Sequence, residues 1–152
     1  MAVSVLSAAK TLGELTDWRL SNLELNKVLY LAHMIRLGET NGHDGLITNV
    51  FEAWDYGPVS PRLYHKAKIF GSRPVGNIFR QYPSMNDADA LQSLSEAVEA
   101  TEDFSPGRLV AITHWDGGAW YENYQPGVKG VVIPNEDILN EYYRRAGRHE
   151  AA

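Results

Sequence analysis

One short stretch does most to limit what this chain can become: Phe51-Glu-Ala-Trp-Asp-Tyr-Gly-Pro-Val-Ser-Pro61. Its first half sets Phe51, Ala53 and Trp54 among acids, so it presses large apolar surface inward, and Trp54 is expected as a core anchor. Its second half cannot stay regular. Gly57 reaches dihedrals closed to other residues, while Pro58 fixes its own φ and steers Gly57 toward extended or turn geometry. Ser60-Pro61 reads as an N-cap followed by a proline in the first helical position. An aromatic anchor, a sharp turn and a helix start thus share one segment, and the flanking helices must be placed around it.

The best-determined helix precedes it. Ser21-Asn-Leu-Glu24 is a capping-box pattern, and the residues that follow are apolar on nearly every side: Leu25, Leu29 and Ala32 on one, Val28, Leu31 and Ile35 on another. Such a helix is central and buried. Its exception is a polar stripe of Asn26, Tyr30 and His33, which either faces water or forms an interior seam whose members need partners. At least one of Asn26 and His33 is expected to be buried and bonded to the turn from Tyr56 to Val59, whose backbone groups are free of regular ladders.

Around this helix the pattern predicts others. Ser4 caps a helix to about Thr16; Pro61 starts one carrying Leu63, Ala67 and Phe70 inward; Asn86 or Asp87 starts one with Leu91, Leu94, Val98 and Thr101 in register. Ser105-Pro106 opens a short helix that stops at His114-Trp-Asp-Gly-Gly118, with Trp120 and Tyr121 in the loop beyond. Val131-Val-Ile133 reads as a brief strand or as the lead-in to a last helix from Pro134 to Arg145. The expected fold is mainly α: one helical bundle around a buried central helix, with at most a small β-hairpin. At 152 residues the chain suits one domain, 1–152, with its core at about 22–143 and a frayed tail at 147–152.

Composition narrows the function. With no cysteine, thiolate catalysis, disulfides and Cys-based metal sites are excluded together. A net charge of −5 argues against a general nucleic-acid binder. The apolar N-terminus is too short for a signal peptide and no run of about 20 apolar residues exists, so a cytoplasmic protein without a membrane partner is expected. His33, His43, His65, His114 and His149 lack the spacings of metal motifs, and no metal or cofactor is expected. Ser60 with His65, or Thr113 with His114, could be drawn as nucleophile and base, but each has a capping or terminating job. The chain carries no G-x-S-x-G, P-loop or G-x-G-x-x-G, so no catalytic residue is assigned and the protein reads as a non-enzyme.

Two surfaces suggest binding. Arg62, His65, Lys66, Lys68 and Arg73 form either a solvated basic face or a patch for an acidic protein partner, with a phosphate backbone as the lesser alternative. Trp115, Trp120 and Tyr121 among glycines either fold onto the core or act as interface anchors. The partner-binding set expected from these is Arg62, His65 and Lys66, with Trp115 and Tyr121.

The residues also resemble a known family. Leu25-Asn-Lys-Val-Leu-Tyr-Leu-Ala-His33, then Phe51 through Val59 with Leu63-Tyr64, then Leu109, Thr113-His114, Trp120 and Ile133-Pro-Asn-Glu-Asp-Ile138 follow in the order and spacing of SocA-like antitoxins built on the Panacea domain. Phage-associated GepA-like proteins share that pattern; residues between Gly71 and Asp103 match it poorly. The resemblance implies a bacterial antitoxin encoded beside its toxin and neutralising it by direct contact. It further implies a proteolytic adaptor that hands the toxin to the ClpXP protease, making toxin and ClpX the expected partners. Carried over residue by residue, its motif positions are Asn26, Lys27, Tyr30, His33, Glu52, Trp54, Tyr56, Gly57, Pro58, Thr113, His114 and Trp120. Ala151-Ala152 resembles an end that ClpX reads, though the end of a tail accounts for it as well. The alternative function is an operon autorepressor binding DNA through the basic helix after Pro61.

Overall fold

The axis of the molecule is α2 (Asn22–Glu39), and its start is fixed by a complete capping box. Ser21 Oγ accepts from the Glu24 amide at 3.3 Å, and Glu24 Oε1 accepts from the Ser21 amide at 3.1 Å. Leu25, Val28, Leu29, Ala32 and Leu37 are buried, because α1 (Val5–Leu15), α3 (Pro61–Ala67), α4 (Ala88–Thr101), α5 (Pro106–Thr113) and α7 (Asn135–Arg145) all pack against it. The computed structural model describes residues 2–147. His149, Ala151-Ala152 and nearly all of the tail expected to fray lie outside the described residues.

The flanking helices start where the sequence places their caps. Ser4 Oγ accepts from Leu6, the Asp87 carboxylate from Asp89 and Ala90, and Ser105 Oγ from Arg108. On α4 the buried residues are Ala90, Ser93, Leu94, Ala97 and Thr101, while Leu91 and Val98 are half-buried at its flank. The chain is mainly α-helical.

A three-stranded antiparallel sheet, ordered β2-β1-β3, is laid across one side of α2. β1 (Phe51–Trp54) pairs with β2 (Gly57–Val59) through Glu52 opposite Val59 and Trp54 opposite Gly57. On its other edge Phe51 faces Ile133 of β3 (Val132–Ile133). The sheet exceeds the single hairpin expected by this one short strand.

Three expectations need correcting. Trp54 is not a core residue: side chains alternate across a strand, so Phe51 and Ala53 point inward while Glu52 and Trp54 point away. Ser60 precedes α3 with Pro61 in the first turn, but its side chain caps nothing; its Oγ is buried without a partner. Trp120 and Tyr121 lie in a short helix, α6 (Ala119–Asn123), rather than in a loop. The Ala119 amide donates to Glu141 Oε1 at 2.9 Å, and this buried carboxylate fixes the helix start after extended Gly118.

Candidate functional site

The polar stripe of α2 is an interior seam, and its first members clip the hairpin onto the helix. Asn26 is buried, with Nδ2 donating to the carbonyl and Oδ1 of Asn22 at 3.0 and 2.9 Å. Its Oδ1 accepts from the Ser60 amide at 2.8 Å, so the expected bond to the turn falls one residue past Val59. Asn22 Nδ2 reaches the Tyr64 carbonyl at 3.1 Å, which ties in α3.

Lys27 makes the contact within the turn. Its side chain is 1% exposed, and Nζ donates to the Pro58 carbonyl at 2.9 Å. Burial lowers its pKa from 10.5 to about 8, because a desolvated ammonium is disfavoured. Gly57 makes room for it. Its φ of 113° is rare for side-chain-bearing residues, and a Cβ there would stand 3.2 Å from Thr113 Oγ1 and 3.3 Å from Lys27 Cε.

The hairpin tip is held from the far side. Trp120 Nε1 donates to the Trp54 carbonyl at 2.6 Å, His114 Nε2 to the Asp55 carbonyl at 3.0 Å, and the Tyr124 hydroxyl to Asp55 Oδ1 at 2.6 Å. The His114 ring lies on Trp120 at 3.6 Å between centroids, and Thr113 Oγ1 bonds back to Leu109. Of the family-motif residues, Thr113, His114 and Trp120 are thus supports of the turn, with Thr113 and Trp120 buried.

At its other end the seam is closed by α7. His33 is buried; its Nδ1 accepts from the Leu46 and Ile47 amides, so Nε2 carries the proton and donates to Asn135 Oδ1 at 2.9 Å. Burial lowers its pKa, against the opposing pull of Asn135. Tyr30 donates to Glu141 Oε1 at 2.8 Å.

What the scaffold presents is a groove of about 980 Å³ between the hairpin, the N-terminal turns of α2, α3 and the 128–130 loop. One wall is aromatic. Trp54 meets Tyr64 edge to face at 4.8 Å, Tyr64 meets His65 at 5.4 Å, and Tyr56 is 73% exposed beside them. Trp54 Nε1 donates to Glu52 Oε1, which keeps the indole turned along the wall. Lys27 lies recessed in the lining, with Lys68 and Lys129 nearer the rim.

Of the residues expected to bind a partner, only His65 lines this groove. Arg62 is exposed and Lys66 half-buried on the same helix. Trp115 is half-buried elsewhere, under the Arg145 guanidinium at 4.7 Å, and Tyr121 is exposed on α6. Asn22 and the 128–130 loop went unread in the sequence. Asn22 was within reach, being one helical turn before Asn26, whereas nothing local marks Val128-Lys129-Gly130. Among the described residues no His, Asp and Glu cluster could hold a metal ion, and no helix is long and apolar enough to cross a membrane.

Fold and groove define a helical scaffold with a small sheet clipped to its central helix by buried polar side chains. The sequence profile described as "Antitoxin SocA-like, Panacea domain" matches residues 25–121, which take in Asn26 to His33 of α2, the hairpin, α3 and Thr113, His114 and Trp120. The chain belongs to the SocA-like antitoxin family with the Panacea domain. Over 114 residues it is 30% identical to "Antitoxin SocA" of Caulobacter vibrioides (strain NA1000 / CB15N), covering 68% of this chain and 60% of that protein. The match thus spans under two thirds of the relative's length. No solved structure matches the chain.

Proposed function

We propose that the protein is a non-enzymatic antitoxin of the cytoplasm, neutralising a protein toxin by direct contact through the groove between the hairpin and α3. The observation that carries this reading is the aromatic wall of Trp54, Tyr56, Tyr64 and His65 on a rigidly clipped hairpin. Exposed aromatics on a pre-organised support are the usual anchors of protein interfaces. Membership of an antitoxin family and the 30% identity to an antitoxin support the same role. Delivery of the toxin to ClpXP is a further step of this proposal. It predicts toxin half-life shortened by the antitoxin only where the protease is present.

The test is co-expression with the product of the neighbouring gene. Growth rescue and a co-purifying complex are expected, both weakened by Tyr64→Ala and Trp54→Ala in proteins that retain native fold. Growth arrest unaffected by the antitoxin would overturn the reading.

A second reading rests on α3, which exposes Arg62 and His65, is followed at once by exposed Lys68 and carries no acid. An operator-binding repressor would use that face. Its binding would fall steeply with added salt, whereas a groove-centred protein contact would change far less.

A further inference from the structure

The buried Lys27 is more than the hairpin's fastening needs. An ammonium has three N–H donors, and among the described residues the one side-chain hydrogen bond of Lys27 is to the Pro58 carbonyl at 2.9 Å. A neutral side chain could bond that carbonyl without bringing a charge out of water, which is costly when no opposite charge meets it. The carboxylates lining the groove are engaged elsewhere. Glu52 accepts from the Trp54 indole and Asp55 from the Tyr124 hydroxyl. Lys27, Lys68 and Lys129 therefore line one groove without a carboxylate paired to any of them among the described residues.

We propose that Lys27 is the recognition residue of the groove, taking the carboxylate of an aspartate or glutamate side chain on a segment of the bound protein while flanking apolar residues pack on Trp54 and Tyr64. This rests on the reading that the groove is the face that meets a protein. Depth selects the occupant. Lys27 is 1% exposed, so the occupant must bring its carboxylate on a slender stem while its main chain stays outside, over the contacting rings of Trp54 and Tyr64. A phosphate in a nucleic-acid duplex is carried on a backbone too bulky to follow. A chain terminus would bring its last peptide N–H to the same depth, where it would need a buried acceptor of its own. Lys68 and Lys129 nearer the rim favour the approach of an acidic segment.

The test needs no toxin, so its failure is separable from failure of the antitoxin reading, which co-expression decides. Random linear peptides are selected on the full chain from a library displayed with blocked C-termini, so that every carboxylate belongs to a side chain. Wild-type protein is expected to enrich peptides sharing one acidic position beside apolar ones. Synthetic, amidated copies should lose at least about tenfold in affinity when that acid becomes its amide, and about as much against Lys27→Met. No enrichment, enrichment without a shared acid, or binding indifferent to Lys27→Met would each overturn the proposal.

A measurement on the wild-type chain stands if Lys27→Met fails to fold. The lysine ¹³Cε resonance of Lys27 is titrated with and without a selected peptide. A carboxylate against the ammonium must raise the midpoint above its free value of about 8. An unmoved midpoint, or one raised only by a free-acid peptide end or by a DNA duplex, would overturn the assignment.

Discussion

The phenol of Tyr30 donates a 2.8 Å hydrogen bond to Oε1 of Glu141, 111 residues further along the chain. Glu141 is fully buried and also accepts from the Ala119 amide at 2.9 Å and from Arg145 Nε at 2.7 Å. One carboxylate thus joins α2, α6 and α7, and through α6 it positions Trp120 against the hairpin. Tyr30→Phe removes one of its three donors, and a loss of about 1–2 kcal/mol is expected. Glu141→Ala leaves Tyr30, Ala119 and Arg145 facing an emptied site and should cost about 3–5 kcal/mol. Urea midpoints with unchanged m-values check both. Equal midpoints for Glu141→Ala and wild type would remove the carboxylate from its central place.

Phe51 and Trp54 should part company on truncation. Phe51 is 1% exposed and packs edge to face on Tyr30 at 5.3 Å, so Phe51→Ala is expected to cost about 3–5 kcal/mol. Trp54 is half-buried on the outer side of the same strand, and Trp54→Ala should cost less than about 2 kcal/mol. Its effect belongs in partner binding, read as a faster off-rate. A Trp54→Ala variant as unstable as Phe51→Ala would return Trp54 to the core.

The pair also shows how far the sequence could be read. Capping residues act on amides within their own turn, so Ser4, Ser21, Asp87 and Ser105 announced their helices without tertiary information. The polar stripe of α2 announced only that, if it lay inside, its members needed partners. Which partners was not legible, because Tyr30 meets Glu141 across 111 positions and His33 meets Asn135 across 102. Trp54 misled because its size suggested burial, whereas the strand's period of two sends it outward once Phe51 is inward. Ser60 misled for a related reason: a helix-start pattern does not say whether the hydroxyl faces the first turn or the interior.

His33 should make the fold sensitive to mild acid. Burial lowers its folded pKa below the ordinary 6.5, so the unfolded chain binds the proton more readily. Stability from the neutral ring is fully present above that ordinary value and is lost as pH falls below it toward the folded value. A decline in the urea midpoint between pH 7 and 5 is expected in wild type and a weaker one in His33→Gln. Gly45 packs directly on the ring, and a Cβ there would collide with His33 Cε1. Gly45→Ala should therefore cost about 1–3 kcal/mol. Identical acid profiles for wild type and His33→Gln would refute the account.

Rim charge and recessed anchors should separate kinetically. Arg62 is exposed and Lys66 half-buried on α3, so Arg62→Glu and Lys66→Glu are expected to slow association with the toxin more than they speed dissociation. Trp115 lies under Arg145 and away from the groove lining, so Trp115→Ala should leave association unchanged and act on stability. Stopped-flow binding decides it. Wild-type association rates for both charge reversals would place the interface on another face.

Lys27 should give an alkaline signature of the same sign as the acid one of His33, because both folded pKa values are lowered. Its folded pKa is about 8 against an ordinary 10.5, so between those values the unfolded chain holds the proton that the folded chain has released. Stability must rise with pH across that window, since the unfolded state binds more protons. Tyr30 opposes this above its ordinary 10.0, because burial and Glu141 raise its folded pKa and stability is lost as the unfolded phenol ionises. The difference between wild type and Lys27→Met cancels that contribution. Wild type should therefore gain on Lys27→Met from pH 8 upward, by on the order of 3 kcal/mol once the window is crossed. At pH 7 the variant should be close to neutral or more stable, since removing an unpaired buried charge offsets the bond lost to Pro58. A difference that stays flat from pH 7 to 10.5 would mean that the Lys27 ammonium is solvated in the folded protein, and the groove would then lack its buried charge.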